Sequence, residues 1–157
     1  MRAISLWQPW ATAIALGSKT IETRDWSTEW RGPLAIHAAK RRILRELDEF
    51  DGHAHWRGAL HLDGTRMVSE VLPFGAVVAV CNLIGCLTSE ELLRRPSLYE
   101  LRGVEPEQWE ESQMGNFADG RYGWVLADIR PLSPPVPFKG AQGFFHVPDS
   151  LLCPPCD

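Results

Sequence analysis

The apolar run over residues 75–87, rich in Ala, Val, Cys, Leu and Ile, constrains the fold more than any other part of the chain. It reads as the strongest strand in the sequence, and its length calls for a bend or bulge near Asn82. Shorter strand patterns lie on both sides of it. Residues 2–6 alternate, residues 33–39 form a second core-type strand, residues 122–129 another strong one, and residues 143–147 a last one. Residues 19–24 alternate as well: a regular strand puts Lys19, Ile21 and Thr23 on one side and Thr20, Glu22 and Arg24 on the other.

Between these strands the helical signals are short. Residues 11–16 follow Pro9, which suits a first helical turn because its missing N–H is not needed there, and Gly17 ends the stretch. Residues 40–50 carry Ile43, Leu44, Leu47 and Phe50 at near-helical spacing. Ser89 to Arg94 starts a helix that Pro96 halts, and Trp109 centres another helical segment over residues 105–113. Residues 51–72, with three histidines and Trp56, read as an excursion loop with one helical turn near residues 67–71. The proline-rich residues 130–137 read as a stiff connection. Strands separated by short helices without a regular βαβ beat predict an α+β fold, a small mixed β-barrel with peripheral helices.

The length of 157 residues is that of one domain, here taken as residues 1–150 with a tail over 151–157. A chain of this size buries enough surface to fold without disulfides or a structural metal. No apolar run of roughly 18 residues occurs and residues 1–10 lack a signal-peptide core, so a cytoplasmic protein with no membrane partner is expected. Cys81 and Cys86 read as small buried hydrophobes. Cys153 and Cys156 have the spacing of half a zinc site or a redox pair, but two prolines and the chain end supply neither further ligands nor a helix. With no Cys/His quartet and no HExxH, neither a metal nor a cofactor is expected.

The net charge of -4 argues against a protein that coats nucleic acid by bulk attraction. Its distribution is uneven. Residues 1–45 hold 8 Lys/Arg against 3 Asp/Glu, whereas residues 46–157 hold 8 against 17. Locally concentrated positive charge suits a small anionic site.

That basic half also holds the densest polar and aromatic grouping: Trp7, Gln8, Trp10, Lys19, Glu22, Arg24, Trp26, Trp30 and Arg31. Indole rings either fill a core or offer a face to a nucleobase. Gln8 can match an amide-like base edge, and Arg24 or Arg31 can fork onto a phosphate. Lys19 and Glu22 form either a solvated charge ladder with Arg24 or an acid–base pair in an enclosed pocket. His37, in the apolar strand, points away from the face of Ile36 and Ala38, as a structural histidine or as part of a second surface. Lys40 follows it. The turn over residues 138–145, with Lys139, Gly140, Gln142 and Gly143, is able to bring backbone N–H groups to a ligand, yet it lacks the phosphate-loop patterns GxxxxGK[ST] and GxGxxG. Asn116, Tyr122 and Trp124 flank the strong strand and either line the same cavity or anchor a loop.

The opening Ser5-Leu6-Trp7-Gln8-Pro9-Trp10-Ala11, then Gly17-x-Lys19-x-x-Glu22-x-Arg24, then Trp30-Arg31-Gly32-x-Leu34-x-Ile36-His37-Ala38-Ala39 resemble the ASCH family of the PUA-like superfamily. Residues 75–80 with Leu83 and Cys86, and Pro137-Phe138-Lys139-Gly140 with Gly143, are similar to it too. The resemblance implies a small β-barrel with a cleft for RNA, DNA or a modified nucleoside. It also implies, as the alternative, a metal-independent hydrolase of the ribonuclease or N4-acetylcytidine amidohydrolase kind, in which Lys19 falls on the amidohydrolase motif lysine. Glu22 stands where those amidohydrolases carry threonine, a departure closer to the coactivator-type members.

Three functions are therefore expected of such a chain. The first is binding of RNA, single-stranded nucleic acid or a modified nucleoside through Trp7, Gln8, Trp10, Arg24, Arg31, His37, Lys40, Lys139 and Gln142. The second is hydrolysis by Lys19, Glu22 and Arg24. The third is a protein-interaction or structural domain with the tryptophans in its core.

Overall fold

Parallel pairing of two short strands sorts the centre of the molecule into two faces. In the computed structural model, which describes residues 1–41, 54–61, 72–94 and 114–152, β1 (Arg2–Leu6) lies beside β3 (Gly32–Ala38) with Ile4 opposite Ile36 and Ser5 opposite His37. Because side chains alternate, Ile4, Leu6, Leu34, Ile36 and Ala38 share one face. There they meet Ala11, Ile14 and Ala15 of α1 (Trp10–Ala15) in the main core. The opposite face carries Ala3, Ala35 and Val77 in a second core with Val147 and Leu152. Each fully buried Ile or Leu contributes about 1.5–3 kcal/mol, so the parallel pair is held from both sides.

The sheet has six strands in the order β2-β5-β4-β3-β1-β6 and curls into a half-barrel. All neighbours other than β1 and β3 are antiparallel. β2 is Ile21–Arg24, β4 Ala76–Thr88, β5 Tyr122–Pro137 and β6 Phe144–His146. β4 is the expected central strand, and its register against β5 shifts between Val80 and Asn82 and again between Leu83 and Gly85, where a bend was anticipated. Short helices complete the architecture: α1, α2 (Ala54–Ala59) and α3 (Ser89–Leu93). A capping box starts α3: Thr88 Oγ1 accepts from Glu91 N at 3.1 Å, and Glu91 Oε2 accepts from Thr88 N at 2.9 Å.

One connection expected from the sequence is instead a strand. Residues 130–137 continue β5 along β4, with Pro131 opposite Ala79 and Pro137 opposite Ala76. The prolines are tolerated because β2 covers β5 only from Tyr122 to Val125, leaving the far side of 130–137 an open edge that needs no donors. Residues 132–135 all lie between the partners of Val77 and Ala79, a wide bulge that absorbs two of the prolines. Within the 51–72 excursion, α2 occupies Ala54–Ala59, where no helix was expected. Its Trp56 packs edge-on to Trp10 at 5.9 Å. The helical expectations over 42–50, 67–71 and 105–113, and the Cys153–Cys156 pair, lie outside the described residues.

Candidate functional site

The end of β1 and the turn into α1 open onto two adjoining clefts. The narrower, about 520 Å³, is lined by Trp7, Trp10, Glu22, Arg24, Asn116 and Arg121, among others. The wider, about 850 Å³, is lined by His37, Lys40, Arg41, Phe74, Phe138, Lys139 and the backbone of the following turn. Ser5 and Trp7 line both. Trp7 is 47% exposed, the one tryptophan among the described residues that is open to solvent, and the Arg41 guanidinium lies 5.5 Å from its ring centroid.

The floor of the narrow cleft is an ion-pair chain. β2 pairs with β5 so that Glu22 faces Trp124 across the ladder, and the Glu22 carboxylate lies between two cations. Its Oε1 is 3.2 Å from Arg24 Nε, off the hydrogen-bond line, and its Oε2 is 3.7 Å from Lys19 Nζ. Lys19 is fully buried and donates from Nζ to the Ile21 carbonyl. It opens on neither cleft, so of this pair Glu22 alone meets the cavity. Arg24 Nη2 donates to the Ser5 carbonyl at 2.9 Å, which ties β2 to the end of β1. Opposite, Thr23 Oγ1 accepts from Asn116 N at 3.0 Å, and Arg121 Nε donates to the Asn116 carbonyl at 3.1 Å, fixing the wall over residues 114–121.

The wide cleft is built over His37. Its Nε2 lies 3.0 Å from the Phe138 carbonyl and its Nδ1 3.0 Å from Ser5 Oγ. Burial holds the imidazole below the usual histidine pKa, with the bond to Phe138 partly opposing that shift. Gly140 covers the pair so closely that a Cβ there would stand 2.4 Å from the His37 ring and 2.5 Å from Ser5 Oγ.

The residues singled out from the sequence thus separate. Trp7, Trp10, Glu22 and Arg24 meet at the narrow cleft, and His37, Lys40, Lys139 and Gln142 at the wide one. Gln8 is buried and committed to the fold: its Nε2 donates to Thr12 Oγ1 and the Pro73 carbonyl, and its Oε1 accepts from Thr12 N. Arg31 lies elsewhere, donating to the carbonyls of Thr28 and Trp30. Trp26 packs edge-on to the buried Trp124 in the core, and Trp30 lies under the Arg2 guanidinium at 4.2 Å. Asn116 lines the cleft, whereas Tyr122 packs against the core. Sequence reasoning missed Ser5 and Arg121. A lone arginine in a turn carries no signal, and Ser5 gains a partner only through strand register. Among the described residues, no three His, Cys, Asp or Glu side chains group as a metal site, and no helix is long and apolar enough to cross a membrane.

A curled mixed sheet of this order, with a few short helices packed against it, is the architecture of the PUA-like superfamily. Within that superfamily the chain belongs to the ASCH domain family, whose sequence profile matches residues 4–135. Among solved structures, ASCH from Zymomonas mobilis is similar, with TM-score 0.51 and 16% identity, covering 96% of this chain and 90% of that one. A point variant of the same Zymomonas mobilis protein gives TM-score 0.50 at 17% identity, covering 94% and 87%. Likeness at that identity establishes the shared fold. No curated protein matches the chain.

Proposed function

We propose that the chain binds one or a few nucleotides, from RNA, single-stranded nucleic acid or a modified nucleoside, along the two joined clefts. The observation that carries this reading is the position of Trp7, a half-exposed indole shared by both cavities with cations on either side. An indole face in such a place stacks on any base, which is worth about 1–3 kcal/mol per base. The Glu22 carboxylate in the narrow cleft repels phosphate, so the base belongs there, beside Trp7 and Trp10. Its polar edge then faces Glu22, Arg24 and Asn116 rather than the committed Gln8 amide. Phosphate belongs in the wide cleft, near Lys40, Arg41 and Lys139. Hydrolysis centred on Lys19 has less support, because that ammonium has no surface on either cleft.

Fluorescence titration with short single strands, duplexes and free nucleosides, at low and moderate salt, tests the reading. Single strands should bind with a salt dependence matching a few phosphate contacts. Trp7→Ala should weaken binding about 10-fold, within the range expected for one stacked base, at an unchanged melting temperature. Absence of binding to every probe at low salt near neutral pH overturns it.

A further inference from the structure

The second face of the parallel strand pair holds an arrangement that nucleotide binding does not use. Register places Ser5 directly opposite His37, and their side chains meet at 3.0 Å, Oγ to Nδ1. A main-chain carbonyl only accepts, so the Phe138 oxygen at 3.0 Å requires the imidazole proton on Nε2. The Nδ1 lone pair then faces Ser5, and the Ser5 hydroxyl donates to it. A serine hydroxyl donating to a neutral imidazole whose far nitrogen is anchored is the arrangement of an activated nucleophile and its base. His37 is buried, but Ser5 is only partly so and lines both clefts.

Two further features fit an acyl-transfer site. The backbone N–H groups of Lys139, Gly140 and Ala141 make no hydrogen bond to the protein among the described residues, and the lack of a side chain at Gly140 lets that backbone lie against the Ser5–His37 pair. Backbone donors beside a nucleophile suit a developing oxyanion. Phe74, Phe138 and Trp7 supply apolar walls, while among the described residues the charged side chains lining the wide cleft are Lys40, Arg41 and Lys139, all positive.

The geometry points to a second activity: Ser5 is the nucleophile and His37 the base of a dyad that cleaves carboxylic esters carried on anionic molecules. In the first step Ser5 Oγ bonds to the acyl carbon, its proton passes to His37 Nδ1, and the carbonyl pair moves onto oxygen. Collapse expels the alcohol, which takes the proton from Nδ1 and leaves an ester on Ser5. Water then enters by the same route, releases the carboxylic acid and restores the Ser5 hydroxyl. Nothing in this sequence requires a nucleotide.

The test is labelling of the full chain with an alkyl fluorophosphonate, which loses fluoride to an activated serine, alongside turnover of p-nitrophenyl acetate. Peptide mapping should place the adduct on Ser5, and Ser5→Ala should abolish both readouts. His37→Gln should slow labelling about 100-fold, the lower end of what a general base contributes, while the melting transition persists. The labelling rate should climb with pH to a plateau through a midpoint below the ordinary histidine value. An unlabelled Ser5, or a Ser5 labelled equally fast in His37→Gln, overturns the proposal and leaves the pair a structural bond. If His37→Gln does not fold, the wild-type pH curve decides: a plateau supports the dyad, and a rate that rises continuously with hydroxide refutes it.

Discussion

Lys19, Glu22 and Arg24 show how a charge ladder becomes part of a core. Burying the Lys19 ammonium is costly unless its carboxylate partner stays ionised beside it. Lys19→Met should therefore lower the unfolding free energy by about 3 kcal/mol, the scale seen when one partner of a buried pair is removed, as read from urea denaturation. A second change, Lys19→Met with Glu22→Leu, should recover part of that loss. His37 carries a pH dependence of definite sign. Its folded pKa lies below the unfolded value of about 6.5, so below that value the unfolded chain binds the extra proton. The stability contributed by neutral His37 is full above pH about 6.5 and is lost as pH falls through the lower, folded value. Urea midpoints should fall with acidification across that window, and His37→Asn should flatten the slope. Both side chains were singled out in the sequence, Lys19 from spacing and His37 from strand alternation. Burial of the lysine was not legible there, because it depends on β5 and the neighbouring elements closing over the end of α1.

At the level of elements, β5 carries the sharpest packing constraint. Gly123 pairs with Thr23 on β2 and Leu87 on β4, and a Cβ at that position would meet Leu92 Cδ1 at 2.1 Å and Ile21 Cγ2 at 2.9 Å. Leu92 and Ile21 are themselves buried, so neither has free space to yield. Gly123→Ala should cost about 1–3 kcal/mol by overpacking, visible as a lowered thermal midpoint, with α3 displaced from the sheet. The strands at 2–6, 33–39 and 75–87 and the helix opening at Ser89 were legible because their signals are local: alternation, β-branched runs, and a serine followed by two glutamates. The strand at 130–137 was not. Proline content argues against pairing, and only the absence of a β2 partner on that side removes the objection.

On the scale of the whole molecule, β4 is the pivot, bonded on one side to β3 and on the other to β5. Cys81 lies in it, buried, with Sγ donating to the Leu34 carbonyl at 3.4 Å, and burial pushes its thiol up to about 12. Thiol reagents at pH 8 should therefore modify Cys81 only at the rate of global unfolding, with mass spectrometry of the labelled peptide following the denaturation curve. The positive bias of residues 1–45 is likewise resolved only by the assembled sheet. Arg24, Lys40 and Arg41 come to the clefts, Lys19 is sealed beneath them, and Arg2 and Arg31 go to the far end of β1 and β3.

Local pattern alone was enough to determine the strands other than residues 130–137, the helix after β1, the mixed α+β class and the concentration of indoles and cations near the N-terminus, because backbone preference and side-chain period are properties of neighbouring residues. Tertiary structure alone decided which of those groups meet. The pairing of Ser5 with His37, the exposure of Trp7 against the burial of Trp124, and the commitment of Gln8 to Pro73 all depend on contacts between distant segments. Such contacts are set by sheet register and core volume, which no short stretch of sequence encodes.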